Sequence, residues 1–401
     1  MLEFEQAQDF IAKMVISLPK PPIEKISLNK SLGKILASDL NAMMDFPLKD
    51  NSAMDGYAIR HIDLFNEKIP IQKSCYAGDT IGNLLPGYAI KLFTGSLLPD
   101  GADTIVIQEN VYQENNWINI IQPTKFGENI RRQGEDIKKG SIISKIGTKL
   151  NASDIAFLAS QGISNVSVYK SLKVGILTSG NELINPGQKC LEQEIYNSNS
   201  PMLEALSKMI GSNVIDVLHT SDNEDDLSQA FKKLLINCDV IISVGGISVG
   251  EKDLIKKVLQ SLGGKIEFWK IKMKPGKPIA LINVKNTPVL CLPGNPVSAY
   301  VTFITIGTLL IRGMQGRNNL FPPIIKLPLR IHKEFIDSRE NFLRVKRVIS
   351  NGFSELICYP KQDSSFISSI AWANGFARLP ANTKINDHDL VDYYDLQHWT
   401  L

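Results

Sequence analysis

The sequence predicts a multidomain α/β protein. Its centre is a mostly parallel α/β sheet domain, flanked by a discontinuous helical linking domain, an inserted β domain and a C-terminal β-barrel-like domain. Three observations carry this. From Leu172 to Gly316, apolar strand-type runs alternate with amphipathic helical ones, the pattern of a parallel sheet with helices on both faces. From Asp45 to Arg132 the chain is rich in Gly, Pro and Asn between short β-type runs. After Gly316 the alternation stops and short strands return. The expected domains are residues 1–44 with 138–170 (linking), 45–137 (inserted β), 171–317 (α/β) and 318–401 (C-terminal β).

Composition narrows the function classes. The chain has 401 residues, enough for two to four domains. Apolar content of 43% and charged content of 21% are those of a globular protein. With 44 basic and 41 acidic residues the net charge is +3, too balanced for a nucleic-acid binder, so a basic site must be local. The five cysteines form no CxxC pair and the five histidines no H-x-x-x-H pair, which argues against a disulfide framework, a zinc ribbon or a zinc enzyme. Met1 to Gln6 does not open a signal peptide, and the apolar stretch Val301 to Ile311 is short for a membrane span. A cytoplasmic protein with no membrane partner is expected.

Taken in order, Phe4, Ala7, Ile11, Met14, Val15 and Leu18 have helical spacing, ended by Pro19. Ile26 and Leu28 suggest an extended piece, and Ser31 to Leu40 a second, shorter helix. Tyr57 to Ile59, Ala89 to Phe93 and Thr104 to Ile107 are the expected strands of the β domain. Its loops at Asp50–Tyr57 and Phe93–Asp103 contain ordinary turn residues. Arg131 and Arg132 beside Glu135 and Asp136 fit either a solvated face or the rim of an anion site. Ser153 to Gln161 is a further helix, expected on the N-terminal ones. Then come strand Val174–Leu177, helix Met202–Ile210, strand Val214–Leu218 and helix Glu224–Leu235. In the C-terminal region strands are expected at Ile324–Ile331, Phe342–Val348, Ser354–Tyr359 and Leu390–Tyr393. Arg339, Arg344 and Ser364 to Ser369 are expected on its polar loops.

The stretch Asp239 to Ser298 stands out. A buried-strand run, Val240–Val244, breaks at Gly245-Gly246-Ile247-Ser248-Val249-Gly250 and resumes as a helix containing Asp253. Further on come Lys274-Pro275-Gly276-Lys277-Pro278 and Leu292-Pro293-Gly294-Asn295-Pro296-Val297-Ser298. Glycine lets a backbone approach a ligand, and a helix start offers free N–H groups to an anion. Taken alone, the Gly-Gly turn also fits tight turning with no ligand. Together the loops suggest a site for phosphates or another oxyanion, with Asp253 available for a cation. Neither a dinucleotide fingerprint nor a P-loop is present. Sheets of this type bind ligands at the carboxyl ends of their strands, where Thr178, Ser179, Glu182, Asp222, Ser248 and Asp253 would converge.

These motifs, with Asn51-Ser52-Ala53-Met54-Asp55-Gly56-Tyr57-Ala58, Thr94-Gly95, Gly134-Glu135-Asp136-Ile137 and Thr178-Ser179-Gly180-Asn181-Glu182-Leu183, resemble the molybdopterin molybdenumtransferase family. That family includes bacterial MoeA and the E domains of plant Cnx and gephyrin. The resemblance runs through nearly the whole chain and makes the central domain MogA-like. It implies insertion of molybdate into adenylylated molybdopterin, with Mg²⁺-dependent hydrolysis of the adenylate and release of molybdenum cofactor and AMP. It implies Glu182, Asp222 and Asp253 as the Mg²⁺ and catalytic acids. It implies that Asp55, Thr94 and Asp136, also catalytic, would complete the cleft across a homodimer interface. Gly245, Gly246, Ser248 and Gly250, with Pro293, Gly294, Asn295 and Pro296, would face the pterin and its phosphates. Lys274, Lys277, Ser298 and Arg339, with Ser364 or Ser368, would hold molybdate. The upstream adenylyltransferase is an implied partner. The chain departs from the family pattern at Asn181, often Asp, at Val244 before the Gly-Gly turn, often Ser, and at Ser365, often Gly. The alternatives are a molybdopterin adenylyltransferase, which shares the sheet domain but lacks these β domains, and a non-catalytic scaffold or receptor-binding module.

Overall fold

Phe4, Ala7, Ile11 and Val15 place one apolar stripe on the helix Phe4–Ser17, and all four are buried. Gln6 Oε1 accepts the Glu3 N–H (3.1 Å) at its start, and the chain leaves it at Leu18-Pro19. The computed structural model describes residues 1–246, 254–332, 334–350 and 352–401. Ser248, Gly250 and Asp253 lie outside the described residues. Two compact units are present: residues 1–38, 146–151 and 166–401 form one, and residues 39–145 with 152–165 the other.

The first unit holds a six-stranded sheet in the order Asn213–Thr220, Lys173–Ser179, Val240–Val244, Thr287–Leu292, Ala280–Val284, Gly264–Trp269. The first four strands are mutually parallel, and the last two add antiparallel. Alternate side chains of Val240–Val244 go to opposite faces. Val240, Ile242 and Val244 pack with Leu203, Leu206 and Ile210 of the region around helix Asn199–Met209. Ile241 packs instead with Leu227, Phe231 and Leu234 of helix Glu224–Asn237. Helices therefore cover both faces, as the alternation predicts.

The apolar stretch around Val301 proves longer than its sequence suggests. Helical backbone runs unbroken through Pro296–Met314, 19 residues, 94% of whose most apolar window is buried inside the fold. It includes a π-helical segment, Phe303–Gly307. It is long and apolar enough to cross a bilayer, yet here it is a core helix against Phe4–Ser17.

The short helix expected from Ser31 to Leu40 does not form. Leu28–Lys30 is a 3-10 turn, Gly33 has φ +73°, and Ile35–Leu36 pairs with Asn165–Tyr169 in a small sheet. Two neighbouring apolar residues mimic a helix face but serve a strand that needs a distant partner.

The C-terminal strands close completely. Glu340–Ser350, Phe353–Cys358, Ile325–Arg330, Leu390–Asp395 and Gly375–Leu379 follow one another, and Gly375–Leu379 pairs back on Glu340–Ser350. The closing strand escapes sequence reading because it is short and carries Arg378. Met273–Lys274 adds parallel to Glu340–Asn341, tying the lysine loop to this barrel. The second unit has the expected β domain, with strands Thr104–Ile107, Gly56–Ile59, Ala89–Leu92, Ile69–Cys75, Trp117–Ile120 and Val111–Glu114 side by side.

Gly313 lies where Phe4–Ser17 crosses the long core helix; a Cβ there would sit 2.4 Å from Val15 Cγ2. Gly→Ala in a helix ordinarily gains about 1 kcal/mol. Here overpacking wins, and Gly313→Ala is expected to lose ~1–3 kcal/mol in chemical denaturation, most of it restored by adding Val15→Ala.

Candidate active site

The parallel register brings four strand ends to one edge. Ser179 pairs with Thr220, Thr178 with Val244, and Val244 with Leu292. The connections from Lys173–Ser179 and Val240–Val244 diverge there, because Asn213–Thr220 lies outside the first of these strands. A cavity of about 590 Å³ opens at this point. Glu182, Asp222, Gly245, Gly246, Pro293, Gly294, Asn295, Pro296 and Ser298 all line it. Of the six residues expected at the strand ends, Ser179, Glu182 and Asp222 line it and Thr178 does not, while Ser248 and Asp253 lie outside the described residues.

Part of this lining is structural. Gly245 has φ +99°, and a Cβ there would stand 2.5 Å from the Ser179 carbonyl oxygen; Gly246 has φ +61° and abuts Ile255. Asn295 Oδ1 accepts the Ser298 N–H (3.1 Å) and caps the helix that starts at Pro296. Other groups have no such duty. No hydrogen bond or ion pair to the carboxylates of Glu182 or Asp222 is found among the described residues. Ser179 Oγ and Asn199 Oδ1 are buried beside the cavity without a hydrogen-bond partner among the described residues. Buried polar atoms are normally satisfied, so these two are available to a ligand in the cavity. Nothing in the sequence marks Asn199, which comes from a helix start rather than from a strand-end loop.

The lysine loop touches this cavity at Pro278 and reaches a second one at Lys274. Lys274, fixed beside Asn341 by the strand pairing, lines a second cavity of about 220 Å³ with Arg344, Gln362 and Asp363. Lys274 Nζ is 3.2 Å from Asp337 Oδ2. The Arg339 N–H donates to Asp337 Oδ1 (3.1 Å), and Arg339 Nε lies 3.8 Å from the same oxygen. Partial burial alone would push the Asp337 carboxyl up, but the Arg339 N–H and Lys274 outweigh it and hold it below the usual range. Lys277 is exposed and has no acidic partner among the described residues. The expected molybdate set is thus divided: Ser298 lines the large cavity, Lys274 the smaller one, and Lys277, Arg339, Ser364 and Ser368 line neither. Ser368 Oγ lies 2.8 Å from the Tyr359 hydroxyl.

Arg344, expected on a polar loop, is instead inside strand Glu340–Ser350 and 1% exposed. Its Nη1 donates to the Phe342 carbonyl (3.1 Å) and its Nη2 to the Gln362 carbonyl, so it braces the loop before Ser364. A charged residue among apolar ones suggests exposure to a reader of sequence. Here the guanidinium finds carbonyls that the barrel turns inward. Asp337, which meets the lysine, is likewise absent from the expected set.

The second unit carries Asp55, Thr94 and Asp136. Thr94 donates both its N–H and its hydroxyl to Asp55 Oδ1, each at 2.7 Å. These two donors hold the partly exposed Asp55 carboxyl below its usual range. Asp136 lines a cavity of about 410 Å³ with Asn51, Gly95, Arg131 and Glu135. Arg132 pairs with Asp50 at 2.7 Å, and the Arg131–Asp136 stretch is thus partly a cavity rim.

Comparison with known proteins agrees with this architecture. Residues 2–162 match the family model of the MoeA N-terminal region (domains I and II), residues 175–312 that of a probable molybdopterin binding domain, and residues 327–396 that of the MoeA C-terminal region (domain IV). A molybdopterin molybdenumtransferase of Haemophilus influenzae is 37% identical over 327 residues, 80% of each chain. The chain belongs to the molybdopterin molybdenumtransferase family. A Nostoc relative of the same name is 34% identical over 370 residues, covering 89% of this chain and 85% of its own. The crystal structure of a MoeA protein from Pyrococcus horikoshii OT3 superposes with a TM-score of 0.83 at 26% identity, covering 98% of this chain and 100% of that one.

For a molybdenumtransferase, the departure at position 181 has a visible structural meaning. Asn181 Oδ1 accepts the Asp222 N–H at 3.0 Å. The amide oxygen keeps that contact while placing no charge beside Glu182. In the second unit, Thr94→Val removes one of the two donors to Asp55. The Asp55 carboxyl should then titrate higher, moved back towards the ordinary carboxylate range, in a carboxyl ¹³C NMR titration. With a depressed pKa, this contact stabilises the fold above the ordinary carboxylate value and is lost as pH falls through the folded one.

Proposed function

We propose that this chain inserts molybdate into adenylylated molybdopterin, hydrolysing the adenylate and releasing molybdenum cofactor and AMP. The observation that carries the reading is the 590 Å³ cavity at the parallel strand ends, with two carboxylates and two buried polar atoms on its wall that have no partner among the described residues. A pterin adenylate needs hydrogen-bond partners for its rings and a place for its phosphates. Ser179 and Asn199 supply partners, and the Gly245-Gly246 turn lets backbone approach a phosphate.

Among the described residues no group of three metal-ligating side chains is found. Mg²⁺ nevertheless suits this donor set, because it binds through one or two carboxylates together with substrate phosphates and waters. Glu182 and Asp222 would hold it, with Asp253 as the third acid. When bound, it would neutralise charge on the phosphate linkage being hydrolysed. Molybdate is the substrate oxyanion. Its recognition falls to Lys274, Lys277, Arg339 and Ser298, with Ser364 or Ser368 at the rim. A tetrahedral dianion suits several cationic and hydroxyl donors better than one.

The reading includes a homodimer in which Asp55, Thr94 and Asp136 of a second copy complete each site. It also includes delivery of the adenylylated pterin by the upstream adenylyltransferase in the cytoplasm. The division into linking, inserted β, α/β and C-terminal β domains goes with it.

The direct test is AMP release from adenylylated molybdopterin by the pure protein. Release should require both molybdate and Mg²⁺, and its absence with both present sinks the proposal. Asp222→Ala and Asp253→Ala should each reduce turnover to background while leaving the circular dichroism spectrum and unfolding midpoint intact. Mixing inactive Asp55→Ala with inactive Asp222→Ala should restore partial activity if sites are shared between copies. No restoration on subunit exchange would place each site within one chain.

A further inference from the structure

One of the cations expected to meet the substrate oxyanion, Lys274, is already engaged. Lys274 Nζ lies 3.2 Å from Asp337 Oδ2, while Asp337 Oδ1 is tethered by the Arg339 N–H at 3.1 Å. One carboxylate oxygen therefore stays with the loop and the other faces the ammonium. The Lys274 side chain is 49% exposed and that of Asp337 18% exposed. Such a half-solvated pair is weak, and an arriving dianion can replace it. Asp363 lines the same cavity as Lys274, so an oxyanion entering there meets that acid as well as the one paired with the lysine.

We propose that Asp337 is a built-in competitor for the substrate oxyanion: its carboxylate occupies Lys274 in the empty site, must give way when the oxyanion binds, and returns to speed release. This rests on the reading of Lys274 as an oxyanion ligand. It makes Asp337 a determinant of molybdate affinity rather than a catalytic residue. A site built this way binds its substrate less tightly than its cations allow. It also favours tetrahedral dianions, which gain more than a monoanion from several donors at once, over monoanions that merely match the carboxylate.

Asp337→Asn is nearly isosteric, and its amide oxygen can still accept the Arg339 N–H. Inorganic molybdate is titrated calorimetrically into the full chain at constant ionic strength. Losing both the competing pair and the repulsion of a carboxylate close to the bound dianion should tighten binding on the order of tenfold. The gain should vanish when Asp337→Asn is made in a Lys274→Gln background. Unchanged or weaker binding by Asp337→Asn would overturn the proposal, since Asp337 would then only hold the lysine in place. A gain that survives Lys274→Gln would also overturn it, as a general field effect. Binding seen in Asp337→Asn but not in the native chain would support it. If neither binds molybdate, the reading of Lys274 fails and this inference falls with it. If the native chain binds but Asp337→Asn gains nothing, only the inference fails.

Discussion

The rest of the candidate site depends on strand register. Four parallel strands end together because Ser179, Thr220, Val244 and Leu292 are held in step by backbone hydrogen bonds. A shift by one residue would exchange the faces of Val240–Val244 and put the wrong side chains on the two helix layers. The hydrophobic cores on both faces therefore hold the register, and the register fixes where Glu182, Asp222 and the Gly-Gly turn emerge. The functional groups sit on loops, while their relative placement comes from packing far below them.

A second dependence runs through the barrel. Met273–Lys274 is hydrogen-bonded to Glu340–Asn341, so the lysine loop belongs to the C-terminal strands as much as to the sheet it follows. This brings Lys274 to Asp337 and to the loop braced by Arg344. The two cavities thus rest on different frameworks: closed-barrel hydrogen bonding at Lys274 and parallel-strand ends at Glu182 and Asp222. The residues expected to hold molybdate are split accordingly, with Ser298 on the large cavity and Lys274 on the small one.

The charges follow the same logic. Glu182 and Asp222 show no protein cation among the described residues, which suits groups that await a metal and phosphates. Lys274, by contrast, is paired with Asp337. Arg344 spends its charge on backbone carbonyls and serves the loop instead of a ligand. Charge type alone did not separate these three situations. Burial and partners did.

What the sequence determined by itself was local or periodic. The helix Phe4–Ser17, the alternation of Lys173–Ser179, Asn199–Met209 and Asn213–Thr220, and the strand-end position of Glu182 and Asp222 follow from spacing and turn residues. The motifs around Asp55, Glu182 and Lys274 carried the family resemblance. Tertiary structure decided whatever needs a distant partner. Ile35–Leu36 became a strand because Asn165–Tyr169 was there to pair with it. The barrel closed through Gly375–Leu379, whose closing partner Glu340–Ser350 lies beyond Phe353–Cys358 in sequence. Asn199 reached the cavity, Arg344 went inside, and Asp337 found Lys274 across 63 residues of chain. Backbone pairing and side-chain burial are non-local, so no window of sequence contains the information that settles them.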